Sequence, residues 1–327
     1  MTSRGSVLAP PVSKTGPASR IERWLNAMPH PALVVEISTA HVAGARWGKT
    51  QGNLETFAVE YLAEGAVVAS PVEVNIAKPD DVRAALRRVF GTVPHRGQSV
   101  ALLIPDPGVR VFILPFETLP RSAADALPLL RWRLKKSVPF DVEETAVSWM
   151  RQTGREGNLE VVAAVSRQRI IREYEEIVES LGAEAGVIMS STLATLPLLE
   201  EQGSTLLVRI SGRTLTTAIV RGRNLCVYRS TEMGFGPELL EPKAVLDEIF
   251  PALAYYQDTW DATMDRARLS GFGPRDELFR EILAGELKCP IGPISDAPGI
   301  ANLGPGARDI VQRDFESLAG WMMNRGA

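Results

Sequence analysis

Residues 205–230 read TLLVRISGRTLTTAIVRGRNLCVYRS. Runs rich in β-branched residues alternate with turns at Gly212 and Gly222, which predicts three short strands joined by tight hairpins. A helical stretch follows from Glu238 to Trp260, and ARLSGFGP at 267–274 predicts a further strand that ends in a glycine turn. Strands followed by a helix and another strand indicate an α/β domain.

The same order of elements occurs earlier in the chain. Residues 31–62 predict strands at 31–38, 41–47 and 55–62. Pro79 then opens a helix, and SVALLIP at 99–105 predicts the next strand. Two such copies imply a duplicated α/β fold whose two domains enclose a cleft.

Composition fits this reading and limits the function. A chain of 327 residues suits two domains, and 36 basic against 39 acidic residues give a net charge of −3, without a basic field for nucleic acid. Cys226 and Cys289 lie too far apart to suggest a metal pair and are predicted to be buried thiols. No run approaches the ~20 apolar residues of a membrane span, and the N-terminus lacks a secretory signal, so we expect a cytoplasmic protein.

Residues 1–28 are predicted to form a disordered tail that ends in a short amphipathic helix. Ile21, Trp24, Leu25 and Met28 would form its apolar face. That face would dock on its own domain, as most such stripes do, or contact a partner or a membrane surface.

The middle segment has its own pattern. It predicts a strand at 109–115, a helix at 122–136, strands at 145–150 and 160–165, and a helix that Ser166 caps and Gly182 ends. The basic residues between Arg131 and Lys136 favour a solvated helix face over a nucleic-acid patch, and attraction to anionic lipid stays open. Residues 292–306 are predicted to be a loop or linker, and 307–323 a closing helix.

This middle segment resembles PilM, the actin-like protein of type IV pilus assembly. The resemblance is carried by FILP (112–115), LLRWRLKKSVPFDVEE (129–144), VSWM (147–150) and EVVAAVSRQRIIREYEEIVESLG (160–182). ALAYYQDTW (252–260) and RARLSGFG (266–273) resemble the helix and adenosine motif of that family. The resemblance covers most of the chain from about residue 31 onward.

The resemblance implies an actin-like (ribonuclease H-like) duplicated α/β fold with an inserted subdomain of the FtsA and PilM type. Residues 29–105, 184–202 and 307–327 would form the first subdomain, 106–183 the insertion, and 203–306 the second domain. The cytoplasmic part of GspL, a type II secretion protein, is a second and weaker match.

In the actin-like superfamily, each half contributes an Asp and a glycine-containing turn to a bound nucleotide and its magnesium ion. The matching positions form the candidate nucleotide site: Glu36, Ser38, Arg209, Gly212, Thr214, Gly271 and Gly273. Arg209 reverses the charge where the family places Asp, which removes a magnesium ligand. The resemblance thus implies ATP as a possible cofactor, whereas the charge reversal at Arg209 disfavours magnesium. Arg209 would either neutralise phosphate directly or pair with Glu36 across an empty cleft.

The family also implies a groove between the insertion and the first subdomain. It would hold the N-terminal cytoplasmic peptide of a PilN-like inner-membrane protein, and its predicted lining is Leu114, Pro115, Val138 and Phe140. The protein would then lie at the inner membrane through this partner, among other pilus assembly proteins.

Catalysis has little support in the sequence, which contains no GxSxG, Walker or HExxH motif. We therefore expect a scaffold with a degenerate nucleotide site. The alternatives are a magnesium-dependent ATPase of the FtsA branch, or a GspL-like protein of type II secretion.

Overall fold

The computed structural model describes residues 30–48, 53–95 and 97–323. The predicted tail and amphipathic helix at 1–28 lie outside the described residues. In chain order the strands are β1 (Leu33–Ile37), β2 (His41–Trp47), β3 (Leu54–Tyr61), β4 (Ser99–Ile104), β5 (Arg110–Phe116), β6 (Thr145–Thr153), β7 (Leu159–Arg167), β8 (Glu184–Ser190), β9 (Ser204–Ser211), β10 (Thr214–Arg221), β11 (Asn224–Glu232), β12 (Arg266–Ser270) and β13 (Ile291–Pro293).

The helices follow the pattern that the sequence predicts in most places. They are α1 (Pro79–Thr92), α2 (Ala123–Leu134), α3 (Gln168–Glu179), α4 (Ser191–Thr195), α5 (Pro242–Trp260), α6 (Asp276–Leu287), α7 (Pro298–Ala301), α8 (Pro305–Val311) and α9 (Glu316–Met323). None of the helices in the described ranges is long and apolar enough to cross a bilayer.

Two five-stranded sheets have the same topology, which confirms the predicted duplication. The first sheet has the order β3-β2-β1-β4-β8, and the second has the order β11-β10-β9-β12-β13. In each sheet the first strand pairs antiparallel with the hairpin strand that follows it and parallel with the strand that comes after the helix. The equivalent strands β1 and β9 therefore occupy the same central place in their sheets.

A third sheet, β5-β7-β6, is antiparallel and lies in sequence between the two sets of strands. Helix α2 packs on it through Leu130 and Leu134, which share a core with Val161 and Ala163. Helix α3 lies within the range 106–183 predicted as the insertion, yet Tyr174 and its neighbours pack in the core of the first sheet. By packing, this helix belongs to the first subdomain.

Three local predictions are wrong. Ser166 lies in β7, and Arg167 instead holds the position before α3, without a side-chain cap. Residues 292–306 contain the end of β13, all of α7 and the start of α8, because Pro298 and Pro305 begin helices where a missing N–H costs nothing. The closing helix is divided into α8 and α9, since Asp314 has φ 63° and this left-handed backbone interrupts the helical ladder.

Candidate functional site

The two halves meet at a buried arginine. Arg209 lies in β9 and Glu36 lies in β1, at equivalent places in the two sheets. Both side chains are buried, and Nη2 of Arg209 is 3.7 Å from Oε1 of Glu36. The ion pair that the sequence suggested for these two residues is confirmed.

Two further carboxylates surround the same guanidinium. Nε of Arg209 donates to Oε1 of Glu316 at 2.6 Å, and Nη1 lies 3.8 Å from Oδ2 of Asp106. The hydroxyl of Ser270, at the end of β12, also donates to Oε1 of Glu316, at 2.5 Å. The three acids come from β1, the turn after β4 and α9, so one arginine of the second domain links three separate elements.

Asp106 carries a second set of contacts across the cleft. Its carboxylate accepts hydrogen bonds from the backbone N–H and the hydroxyl of Thr192 in α4. It also accepts from Thr216 in β10, at 2.9 Å, and from Tyr228 in β11, at 3.0 Å. Asp106 therefore joins the first subdomain to the second sheet through hydrogen bonds as well as charge.

The electrostatics of the cluster keep its central pair charged. Burial raises the pKa of Glu36, but the hydrogen bond and charge of His41 and the charge of Arg209 outweigh it and lower that pKa to about 2. Burial lowers the pKa of Arg209, whereas Glu316, Glu36 and Asp106 raise it, with a net rise. Because separating such buried charges leaves one of them uncompensated, the cluster resists opening.

The two turns that would hold phosphate contact each other. Gly212 has φ 57°, and a Cβ added there would lie 2.4 Å from Oγ1 of Thr39 in the first turn. In that first turn, Oγ of Ser38 accepts hydrogen bonds from the backbone N–H groups of Ala40 and His41, at 3.2 and 2.9 Å. Two N–H groups of the first turn that could face a phosphate are therefore occupied by Ser38.

Two of the remaining predicted site residues, Thr214 and Gly271, have structural roles in the second sheet. Thr214 is buried at the start of β10 and pairs with Ser211. Gly271 has φ 82°, and a Cβ there would lie 1.9 Å from the backbone oxygen of Ile210, so only glycine allows this close approach of the two neighbouring strands. Gly273 has φ 52° and open space around it.

Sequence reasoning missed Asp106 and Glu316. Asp106 had a usable signal, because it follows a strand whose carboxyl end points to the cleft edge, where α/β folds place functional side chains. Glu316 had no such signal, since 107 residues separate it from Arg209.

Comparison with solved structures agrees with this architecture. A chain of a structure described as the PilM-PilN type IV pilus biogenesis complex superposes with a TM-score of 0.72, at 17% identity, over 91% of this chain and 99% of that one. A Bacteroides thetaiotaomicron protein described as having an actin-like ATPase fold superposes with a TM-score of 0.50, at 12% identity, over 84% and 95%. This chain has the actin-like ATPase fold.

The cytoplasmic domain of EpsL, from the type II secretion system of Vibrio cholerae, superposes with a TM-score of 0.47, at 14% identity, over 72% of this chain and 80% of that one. No protein-family model matches the chain, and no curated protein matches it.

The residues present in the cleft of this actin-like fold do not fit a magnesium ion. The guanidinium of Arg209 occupies the space between Glu36, Asp106 and Glu316, so a cation would have to displace another cation. Within the described ranges, no group of three His, Cys, Asp or Glu residues is arranged to hold a metal.

Of the four predicted groove residues, three share one core and one lies apart. Leu114 and Phe140 pack with the buried Val138 in the core of the insertion. Pro115 is exposed and follows Leu114 in β5, so it faces the opposite side of the sheet.

An open groove lies next to that core. The guanidinium of Arg167 covers the ring of Phe140, 5.8 Å from its centre. Arg167 also lines a groove together with Val74, Glu144, Gln168, Arg169, Arg172, Glu173 and Glu176. This groove, called here the Arg167 groove, separates the loop before α1 from the insertion and α3.

Proposed function

We propose that this protein is a scaffold of type IV pilus assembly that binds a cytoplasmic peptide of a PilN-like inner-membrane protein and does not turn over magnesium–ATP. The observation that carries the proposal is Arg209, which binds three carboxylates inside a cleft whose two turns are in contact. In this proposal the ion pairs of Arg209 hold the cleft closed without a nucleotide, and the outer surface of the fold binds the partner peptide.

The fold supports the choice of partner. The solved structure with the TM-score of 0.72 is itself a complex of PilM with PilN. For this chain, a PilN-like partner at the cytoplasmic side of the inner membrane is our proposal. We also propose the predicted division into a first subdomain, an insertion and a second domain, with the insertion ending near Arg167.

The Arg167 groove is the site that we propose for the peptide. Its walls are held in place, because Glu173 accepts hydrogen bonds from the backbone N–H groups of Asn75 and Ile76, at 2.7 and 3.0 Å. Arg167 donates to the carbonyl of Val72 at 2.9 Å. A preformed groove loses little entropy when a peptide binds.

The chemistry of the groove fits a short peptide with both apolar and charged groups. Val74 is 57% exposed and offers an apolar contact at the rim. Arg172 is exposed, and the carboxylates of Glu144 and Glu176 line the same groove. Apolar anchors with flanking charges are the usual means by which grooves recognise peptides.

A peptide titration tests this proposal. We expect the N-terminal cytoplasmic peptide of a PilN-like protein to give saturable binding in calorimetry, and Val74→Asp to abolish it. The control is Val68→Asp, because Val68 is 54% exposed in the same loop and does not line the groove. Phe140→Asp is a poorer test, since it would place a charge in the core of the insertion.

Two results would overturn the proposal. One is a wild-type protein that does not bind the peptide at any accessible concentration. The other is equal loss of binding in Val68→Asp and Val74→Asp, with both variants folded, which would place the peptide elsewhere.

A further inference from the structure

Helix α2 of the insertion has one side that the fold leaves in solvent. Ala126, Leu130 and Leu134 are buried against the sheet. On the outer side, Leu129, Trp132 and Arg133 have the spacing i, i+3 and i+4, which puts them on a single face, and Lys136 follows in the turn directly after the helix. We call these four residues the α2 face.

The apolar part of the α2 face is unusually exposed. Trp132 is 73% exposed and Leu129 is 43% exposed. Leaving a tryptophan ring in water is unfavourable. Single exposed leucines are common on protein surfaces, but a tryptophan exposed beside a leucine is not, because tryptophan is highly buried on average. Trp132 and Leu129 would therefore be more stable in contact with a surface less polar than water.

The charge next to it is uncompensated. Arg133, Lys135 and Lys136 are exposed, and within the described ranges none of them forms an ion pair. Arg131, by contrast, faces inward, pairs with Glu143 at 3.1 Å and donates to the carbonyl of Thr145. On the outer face itself, the one acid in the helix is Asp125, a full turn before Leu129.

We propose that the α2 face rests on an anionic lipid surface. The indole ring would lie at the headgroup level, where tryptophan is enriched, and the adjacent cations would lie against anionic headgroups. The α2 face is convex, and its two apolar side chains lie among cations, which suits a lipid surface. An acidic peptide would need a groove, and RNA would need several aromatic rings for stacking.

The position of the face is consistent with this role. Phe140 follows α2 by a few residues, and its ring contacts Arg167 at the rim of the Arg167 groove. A protein held near a membrane by any means would present a weak lipid-binding face at a high effective concentration. The proposal does not rest on the peptide, and it is tested without one.

The test is flotation of the full chain with vesicles of phosphatidylcholine alone or of phosphatidylcholine mixed with phosphatidylglycerol. We expect binding only to the anionic vesicles. Arg133→Glu with Lys136→Glu should weaken it at least about tenfold, since each cation near such a surface contributes about a fivefold factor. The matched control is Arg87→Glu with Lys243→Glu, which reverses two exposed cations on other helices.

Tryptophan fluorescence identifies the inserted residue. Brominated lipid in the anionic vesicles should quench part of the emission of the wild-type protein, and Trp132→Phe should remove that part. Tyr255→Ala, at a site 57% exposed on α5, is the control for loss of an exposed aromatic ring. All of these positions are on the surface, so the variants should retain the wild-type melting temperature.

Three outcomes would overturn the proposal. They are an absence of binding to anionic vesicles, equal binding by the α2 and control reversals, and quenching that survives Trp132→Phe but disappears in Trp24→Phe. The last result would assign the contact to the N-terminal segment, which lies outside the described residues.

Discussion

At the scale of single residues, the cleft depends on Arg209. A charge buried with three carboxylates is stabilised only while its partners are present, because each ion has given up its hydration. Nη1 of Arg209, Oε1 of Glu36 and Oε2 of Glu316 are buried without a hydrogen-bond partner. The cluster is therefore held by charge more than by hydrogen bonds, and it is sensitive to the loss of any member.

Arg209→Met should destabilise the protein by about 4 kcal/mol, because it leaves three buried acids without their counterion. Urea unfolding measures this value. Arg268→Met is the control, since Arg268 pairs with Glu200 at a partly exposed site. Equal costs for the two variants would contradict the central role of Arg209.

The free energy of unfolding of Arg209→Lys should lie between those of the wild type and Arg209→Met, because lysine keeps the charge but lacks the planar guanidinium group.

The depressed pKa of Glu36 predicts an acid-sensitive stability. The pKa is 4.5 in the unfolded chain and about 2 in the folded protein, so the unfolded state binds the proton first as pH falls. The stabilisation is complete above pH 4.5 and is lost progressively toward pH 2, by up to about 3 kcal/mol.

Urea unfolding across this pH range should therefore show a smaller acid loss in Glu36→Gln than in wild type. Glu60→Gln is the matched control, because Glu60 pairs with Arg88 at the surface and should keep the wild-type slope. Identical slopes for wild type and Glu36→Gln would show that another group governs the acid response.

At the scale of elements, the sequence predicts hairpins and glycine turns well and the ends of helices less well. The strands at 41–47 and 99–104 lie where the sequence predicts them, the first from its spacing in a hairpin and the second from its fully apolar run. Ser166 was misread as a cap because β7 extends to Arg167. Strand pairing with β6, which no local pattern reveals, decided that boundary.

The turn after β12 gives a prediction with its own control. Gly271→Ala should cost about 3 kcal/mol or more, because the new Cβ would strike a backbone oxygen that cannot move aside. Gly273→Ala should cost only about 1 kcal/mol, since it meets left-handed strain but no neighbour. Thermal unfolding of both variants measures the difference. Equal costs would mean that β9 and β12 approach each other less closely at Gly271 than the structure has it.

At the scale of the whole molecule, the duplicated fold has been retained while the space between its halves has been filled. Asp106 bonds to α4 and to the second sheet, Arg209 reaches back to the first subdomain, and Thr39 contacts Gly212. These contacts join the two halves of the actin-like fold at the cleft, which is the basis of our proposal that the cleft does not work as a nucleotide site.

Calorimetry with ATP, with and without magnesium, should show no saturable binding to the wild-type protein. The physical reason is that a triphosphate would have to separate the two turns and displace the Arg209 contacts. Magnesium-dependent binding or turnover would contradict the proposed function.

The sequence alone determined the duplicated α/β fold, because hydrophobic period and glycine turns are local properties, whereas the expected insertion and the reversal of charge at Arg209 came from the resemblance to PilM. Only the tertiary structure decided that Asp106 and Glu316 join Arg209, that the two turns touch, and that Trp132 faces solvent while Val138 is buried. These facts depend on how elements distant in sequence pack, and packing fixes distances that no local pattern contains.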